Sequence, residues 1–193
     1  AVCADNPGVV RVVLKHPAAV SVQRRNVVIN SSCGICGPTE MLEGNSLGLL
    51  EVTQTLQVRA DTFAGMMQHM RRQQAVFEET GGCHAAAIFD SEGALVTVAE
   101  DLGRHNALDK VIGKALLQRG SVRGCGVVLS SRLSVEMVIK AIRAGLEVMV
   151  AVSAPTSLAI SMAQQYGVTL CGFVRDSRAT IYSHPQRVVA VNL

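Results

Sequence analysis

The chain is 193 residues long, 49% apolar and 17% charged with a net charge of +3, enough to bury one substantial core. Aromatic residues make up 3% with no Trp, too few to serve as stacking platforms for single-stranded bases. Lys and Arg are scattered, with no run longer than Arg24-Arg25 or Arg71-Arg72, which argues against general duplex or membrane-surface binding.

The chain opens on Ala1-Val2-Cys3, with no initiator Met and no basic segment followed by an apolar run. It therefore reads as mid-chain sequence without a signal peptide, and no apolar stretch reaches the roughly 18–20 residues that span a bilayer. The six cysteines (Cys3, Cys33, Cys36, Cys83, Cys125, Cys171) are dispersed and four have apolar surroundings. That pattern fits reduced, mostly buried thiols of a cytoplasmic protein better than a disulfide framework.

In chain order, "VVRVVLKH" (9–16) and "VSVQRRNVVIN" (20–30) are β-branched runs that predict strands. Residues 31–48 show no periodicity and hold four glycines, a mobile loop bearing Cys33 and Cys36. Asp61 is placed to cap a helix with Phe63, Met66, Met67 and Met70 on its apolar positions, ending before Gly81-Gly82. "HAAAIFD" and "ALVTVAE" predict a hairpin turning at Asp90–Gly93, and a helix follows from about Arg104 to Leu117. The second half alternates "CGVVLSS", a helix capped by Ser134 and ended by Gly145, "VMVAVS", a helix over "TSLAISMAQQY", and "VTLCGFV". Strands alternating with such helices predict an α/β fold whose mixed sheet has parallel β-α-β units in its C-terminal half, within a single domain over 1–193.

Three constellations could carry chemistry. The ends of the parallel strands hold Ser130-Ser131-Arg132, Ser153–Thr156 and Arg175-Asp176-Ser177-Arg178, so hydroxyls and arginines converge on one edge suited to an anionic ligand or nucleotide. Glu100, Asp101, Arg104, His105, Asn106, Asp109 and Lys110 crowd one helix start, where helical spacing predicts the pairs His105–Asp109 and Asn106–Lys110. In "TGGCHAAAIFD", His84 begins a strand after two glycines, but Ala85 and Ala86 follow it where a zinc deaminase has H-x-E.

The pair Cys33/Cys36 in "NSSCGICGPTEM" reads three ways: half a zinc site, a redox dithiol or a sulfur-carrying thiol. A structural zinc needs two such pairs and this chain has one, so no structural metal is expected unless two copies share a site. A redox dithiol of the thioredoxin type needs an amphipathic helix directly after it, which Gly37-Pro38 and the next polar stretch do not supply. A nucleophilic thiol on a mobile loop fits best, since its glycine neighbours expose sulfur and free N–H groups for a thiolate or persulfide.

Together, "SSCGICG", "TGGCHAAAIFD", "EDLGRHNALDKVIGKAL", "SSRLSVEMVIKAIRAG", "SAPTSLA" and "GFVRDSRATIY", in that order, resemble the formate dehydrogenase accessory sulfurtransferases, the FdhD family, from Asn30 onward. The resemblance implies a cytidine-deaminase-like layered sandwich that has lost its zinc chemistry, and a homodimer. It makes 1–29 the remnant of a truncated N-terminal portion. It also implies a persulfide sulfurtransferase taking sulfur from a cysteine desulfurase to the molybdenum or tungsten bis-guanine-dinucleotide cofactor of formate dehydrogenase. Carried over by residue, Cys33 is the persulfide carrier and Cys36 its helper, and Gly172, Phe173, Val174, Arg175, Asp176 and Ser177 are the cofactor-binding stretch. The strand-edge reading adds Arg178, Ser131 and Arg132, and the helix start adds Arg104, His105, Asn106 and Lys110 as grips on guanine or phosphate. A dithiol oxidoreductase and a cofactor-binding chaperone that makes no use of Cys33 remain as rival readings.

Overall fold

A computed structural model of the chain describes residues 2–3, 6–10, 13, 48–176 and 178–189. Cys33, Cys36, Ser177, the predicted strand at 20–30 and most of the loop at 31–48 lie outside the described residues. At the start, β1 (Val2–Cys3) pairs antiparallel with β2 (Asn6–Val10). The strand predicted from Val9 thus begins earlier, at Asn6, and Val13 belongs to no strand.

The body of the molecule is a six-stranded mixed sheet in the order β5-β4-β6-β7-β8-β9. Strands β4 (His84–Phe89) and β5 (Leu95–Asp101) form the predicted hairpin, in register from His84 opposite Asp101. Its turn closes because the Asp90 carboxylate accepts the N–H groups of Glu92 and Ala94, both at 3.0 Å, with Gly93 at φ +79°. Strand β4 also runs antiparallel to β6 (Gly126–Leu129), which is followed by parallel β7 (Val148–Ala151) and β8 (Thr169–Arg175). An antiparallel strand β9 (Arg178–Ser183), not predicted, closes the far edge. Its outward run Arg178–Ile181 is exposed, so it lacks the apolar signature of a buried strand.

Side-chain alternation divides the core between the two faces of this sheet. Ala86, Ile88, Val127, Leu129, Met149 and Leu170 face α3 (Arg104–Arg119), α4 (Val135–Ala144) and α5 (Ser157–Gln165). Ala85, Ala87, Phe89, Val128, Val150 and Cys171 face Phe63, Met66 and Met70 of α1 (Thr62–Arg72). Gly126 is needed here because the Phe89 ring lies over it: a Cβ would sit 2.1 Å from the ring's Cζ.

The single helix predicted from Asp61 to the glycines is in fact two, α1 and the six-residue α2 (Ala75–Thr80), broken at Gln73-Gln74. The break is set from outside the segment. The Glu100 carboxylate on β5 accepts the N–H groups of Val76 at 3.0 Å and Phe77 at 2.9 Å, supplying the acceptors that a continuing helix would have found one turn back. Asp61 stands at the N-cap of α1, but its carboxylate is taken by Arg59. Thr156 caps α5 by accepting the Ala159 N–H at 3.2 Å.

Below the sheet, a short 3-10 helix (Pro185–Arg187) and β10 (Val188–Val189) return beside β3 (Val58–Arg59). There Arg187 and Glu147, 1% and 0% exposed, form a buried ion pair at 3.3 Å. No helix among the described residues is long and apolar enough to cross a membrane.

Candidate functional site

The parallel strands β6, β7 and β8 end on one edge of the sheet, where the antiparallel β4 begins. At that edge lies a cavity of about 800 Å³, walled by α1 and α2 on one side and by Cys83, His84, Ser130 and Val152 on the other. A volume of this size suits a nucleotide-sized ligand. The sequence marks the cavity floor through Gly81-Gly82 and His84, but not the wall formed by Met67, Arg71 and Phe77, which depends on how α1 and α2 lie across the sheet.

Positive charge gathers beside it. His84 is held below the ordinary histidine range, first by burial and then by repulsion from Arg104 and Arg132, so these two arginines, 28 residues apart in sequence, project their fields onto the same ring. The guanidinium of Arg104 has its Nε buried with no hydrogen-bond partner, while Arg132 is exposed. Ser130 and Ser131 are committed within the protein. Ser130 accepts the Ala85 N–H through Oγ at 2.8 Å, and the buried Ser131 hydroxyl donates to the Arg132 carbonyl at 3.2 Å.

Farther along the edge, Gly172 is buried against the chain leaving β7. A Cβ there would come 2.9 Å from the Ser153 carbonyl and 3.1 Å from Pro155 Cδ. The next residue, Phe173, takes φ +53° and is 48% exposed; Asp176 takes φ +51°. Left-handed backbone at a bulky residue is costly and persists where the surroundings enforce it, a pattern that clusters at ligand sites. Arg175 and Arg178 stand opposite each other across the β8–β9 turn, both exposed. Val174 instead is 4% exposed within the α1-side core, so its side chain serves packing.

The crowded start of α3 is organised differently from the helical spacing. Asp101 is its hub, accepting the Gly103 N–H at 2.8 Å and Asn106 Nδ2 at 3.1 Å and pairing with Lys110 Nζ at 2.5 Å. The bonds of Asn106 and Lys110 thus run to Asp101 instead of to each other, because β5 delivers that carboxylate to the first turn of α3. His105 likewise turns from Asp109 to α4, with Nε2 3.0 Å from both Ser134 Oγ and Glu136 Oε2, while Asp109 pairs with Lys140. A catalytic Ser–His–carboxylate relay needs hydroxyl and carboxylate on opposite ring nitrogens, so this cluster is not a hydrolytic triad. Burial, and then Arg104, keep the His105 ring below the ordinary histidine range against the pull of Glu136.

Lys110, then the Gly103 N–H and Asn106, bring the Asp101 carboxyl down to about 2. A depressed carboxyl contributes stability that is present above its unfolded value, about 3.9, and lost as pH falls through the folded one. Acid titration followed by circular dichroism is therefore expected to show stability lost between pH ~4 and pH ~2 that Asp101→Asn lacks, this variant being less stable at neutral pH.

Two of the described cysteines are unsuited to sulfur chemistry. Burial pushes the Cys171 thiol up to about 12 and raises that of Cys125, which holds both as inert thiols. Cys83, read from its neighbours as buried, is partly exposed on the cavity wall.

The model of the FdhD/NarQ family matches residues 2–189. The sulfur carrier protein FdhD of Thermoplasma acidophilum is 43% identical over 166 residues, covering 84% of this chain and 57% of its own length. That of Sulfurisphaera tokodaii is 41% identical over 182 residues, covering 94% of this chain and 69% of its own length. Among solved structures, a formate dehydrogenase accessory protein from Desulfotalea psychrophila aligns with a TM-score of 0.69 at 28% identity, covering 79% of this chain and 63% of that one. NE0047 in complex with 2,6-diaminopurine aligns with a TM-score of 0.50 over 63% of this chain and 79% of that one, and at 18% identity this likeness concerns the fold alone. The chain thus spans just over half the length of the first of these sulfur carriers. With the family model covering residues 2–189 and relatives above 40% identity over most of the chain, this protein belongs to the FdhD/NarQ family.

Proposed function

We propose that this chain is a cytoplasmic sulfur carrier that matures formate dehydrogenase, acting on the molybdenum or tungsten bis-guanine-dinucleotide cofactor as its substrate. The observation that supports this most is the shared edge of β6, β7 and β8. Along it lie a cavity of about 800 Å³, the fields of Arg104 and Arg132 on His84, and, farther on, the left-handed Phe173 with Arg175 and Arg178. Arginines answer phosphate, and an exposed ring answers a planar heterocycle. Of the predicted cofactor contacts, Arg104, Arg132, Phe173, Arg175 and Arg178 retain accessible or unpartnered groups, whereas Asn106 and Lys110 serve chiefly to fix Asp101.

In this reading the fold is of the cytidine-deaminase type with its zinc chemistry lost, as Ala86 stands where the acid–base Glu would be. The Cys33 thiolate attacks the outer sulfur of a persulfide on a cysteine desulfurase. That S–S bond breaks, the desulfurase leaves as its thiolate, and Cys33 holds the persulfide. Attack by Cys36 on the Cys33 sulfur then forms the Cys33–Cys36 disulfide and releases sulfide, which replaces an oxygen ligand of the metal as hydroxide departs. A cellular dithiol returns both cysteines to thiols. Two copies of the chain act together as a homodimer.

The cofactor half of this reading is tested with guanosine diphosphate as a probe of the dinucleotide. Titration calorimetry is expected to show binding, weakened roughly tenfold or more in Arg175→Ala through loss of a charge-assisted bond. A nucleotide that does not bind, or binds Arg175→Ala equally well, removes this edge as the cofactor site.

A further inference from the structure

We propose that Glu100 is a positioning residue that latches α2 as a hinged wall of the cavity, an inference that rests on the cavity receiving the cofactor. Helix α2 contributes no fully buried residue and only Phe77 is half-buried, so little apolar packing pins it to the body of the protein. It is bounded by a hinge at each end. On one side the chain breaks at Gln73-Gln74, with Gln74 itself buried as a fixed point. On the other, Gly81 takes φ +65° with nothing within 4 Å of a built Cβ, so its backbone conformation and not crowding calls for glycine.

Between these hinges the tethers are few. Arg71 pairs with Glu78 at 2.9 Å and lies 4.4 Å over the Phe77 ring, but both partners of the ion pair are exposed, where such pairs contribute little. The stronger tether is the Glu100 carboxylate, with one oxygen on the Val76 N–H at 3.0 Å and the other on the Phe77 N–H at 2.9 Å. Glu100 itself is anchored in β5, where Ala85 faces it on β4 and its carbonyl accepts Lys110 Nζ at 3.3 Å. Both anchoring contacts of the strand use the backbone, so the carboxylate can be removed without disturbing it. Phe77, Gln74, Gly81 and Gly82 all line the cavity, as does Cys83 just beyond, so α2 swinging on its hinges opens the site to a large ligand and re-latching closes over it.

Cys83 provides the readout. In Glu100→Ala, peptide-resolved alkylation of Cys83 by iodoacetamide and amide hydrogen exchange over 76–80 are both expected to accelerate about tenfold or more, with exchange over β4 unchanged. Glu100→Gln, which keeps one accepting oxygen, should fall between the two. Guanosine diphosphate at saturation should slow Cys83 alkylation in the unsubstituted protein and less so in Glu100→Ala. Unchanged exchange over 76–80 in Glu100→Ala overturns the latch, as does acceleration that spreads equally through β4, which would make Glu100 a general structural support. If the nucleotide fails to bind the unsubstituted protein, the cofactor reading falls, while the exchange and alkylation rates of the free protein still decide the latch.

Discussion

Replacing Glu147 with Leu is expected to destabilise the protein by about 5 kcal/mol, and replacing Arg187 with Met by about 3 kcal/mol. The asymmetry follows from what each substitution strands. Glu147 accepts the Thr53 hydroxyl at 2.7 Å, the Thr55 hydroxyl at 2.7 Å, and the N–H groups of Thr55 and Leu56, both at 2.8 Å. Its loss leaves these four donors without their acceptor and the buried guanidinium without its counter-charge. Arg187 donates to Thr169 Oγ1 and to the Thr53 carbonyl, both at 3.0 Å, and its Nε faces Glu147 without forming an aligned bond. Its loss leaves the carboxylate still holding its four donors. Burial alone would lift the Glu147 carboxyl, yet the bonds from Leu56, Thr53 and Thr55 outweigh it and hold the group below its ordinary range. That contribution is present above the unfolded value and is lost as pH falls through the folded one. Thermal melts should show Glu147→Leu losing on the order of 15 °C and Arg187→Met clearly less; equal losses, or the reverse order, would contradict this account.

The largest expected functional effect is that of Cys33→Ala. In cells lacking their own sulfur carrier, the chain should support formate dehydrogenase activity and Cys33→Ala should reduce it to background, since Cys33 is the proposed holder of the transferred sulfur. Cys36→Ala should retain part of it, because added thiols can release sulfur from a persulfide in place of Cys36. Melting temperatures measured alongside separate loss of chemistry from loss of fold. A pure cofactor-binding chaperone would tolerate Cys33→Ala, and a dithiol oxidoreductase would lose everything with either cysteine.

Much of the architecture could be read from periodicity. The apolar runs "CGVVLSS", "VMVAVS" and "VTLCGFV", with the helices between them, correspond to β6, α4, β7, α5 and β8, because a parallel strand buried on both faces must be continuously apolar. The strand-end serines and arginines followed from the same rhythm. What escaped prediction was decided by residues distant in sequence. The α1–α2 break is imposed by Glu100, which reads locally as part of the next helix's polar start. His105 found its partners Ser134 and Glu136 at the start of α4, 29 and 31 residues on, and Asp101 drew Asn106 and Lys110 away from each other. No local pattern marks Arg187 or Glu147, and only the fold brings the two together. Strand β9 was hidden by its own exposure, since an edge strand facing water carries no apolar stripe.

Whether Cys33 carries sulfur is decided by the intact mass of the protein after incubation with a cysteine desulfurase and cysteine. The protein is expected to gain one sulfur atom, reversed by dithiothreitol, retained in Cys36→Ala and absent from Cys33→Ala. A protein that never gains sulfur, or a gain that persists in Cys33→Ala and maps to another cysteine, would contradict it.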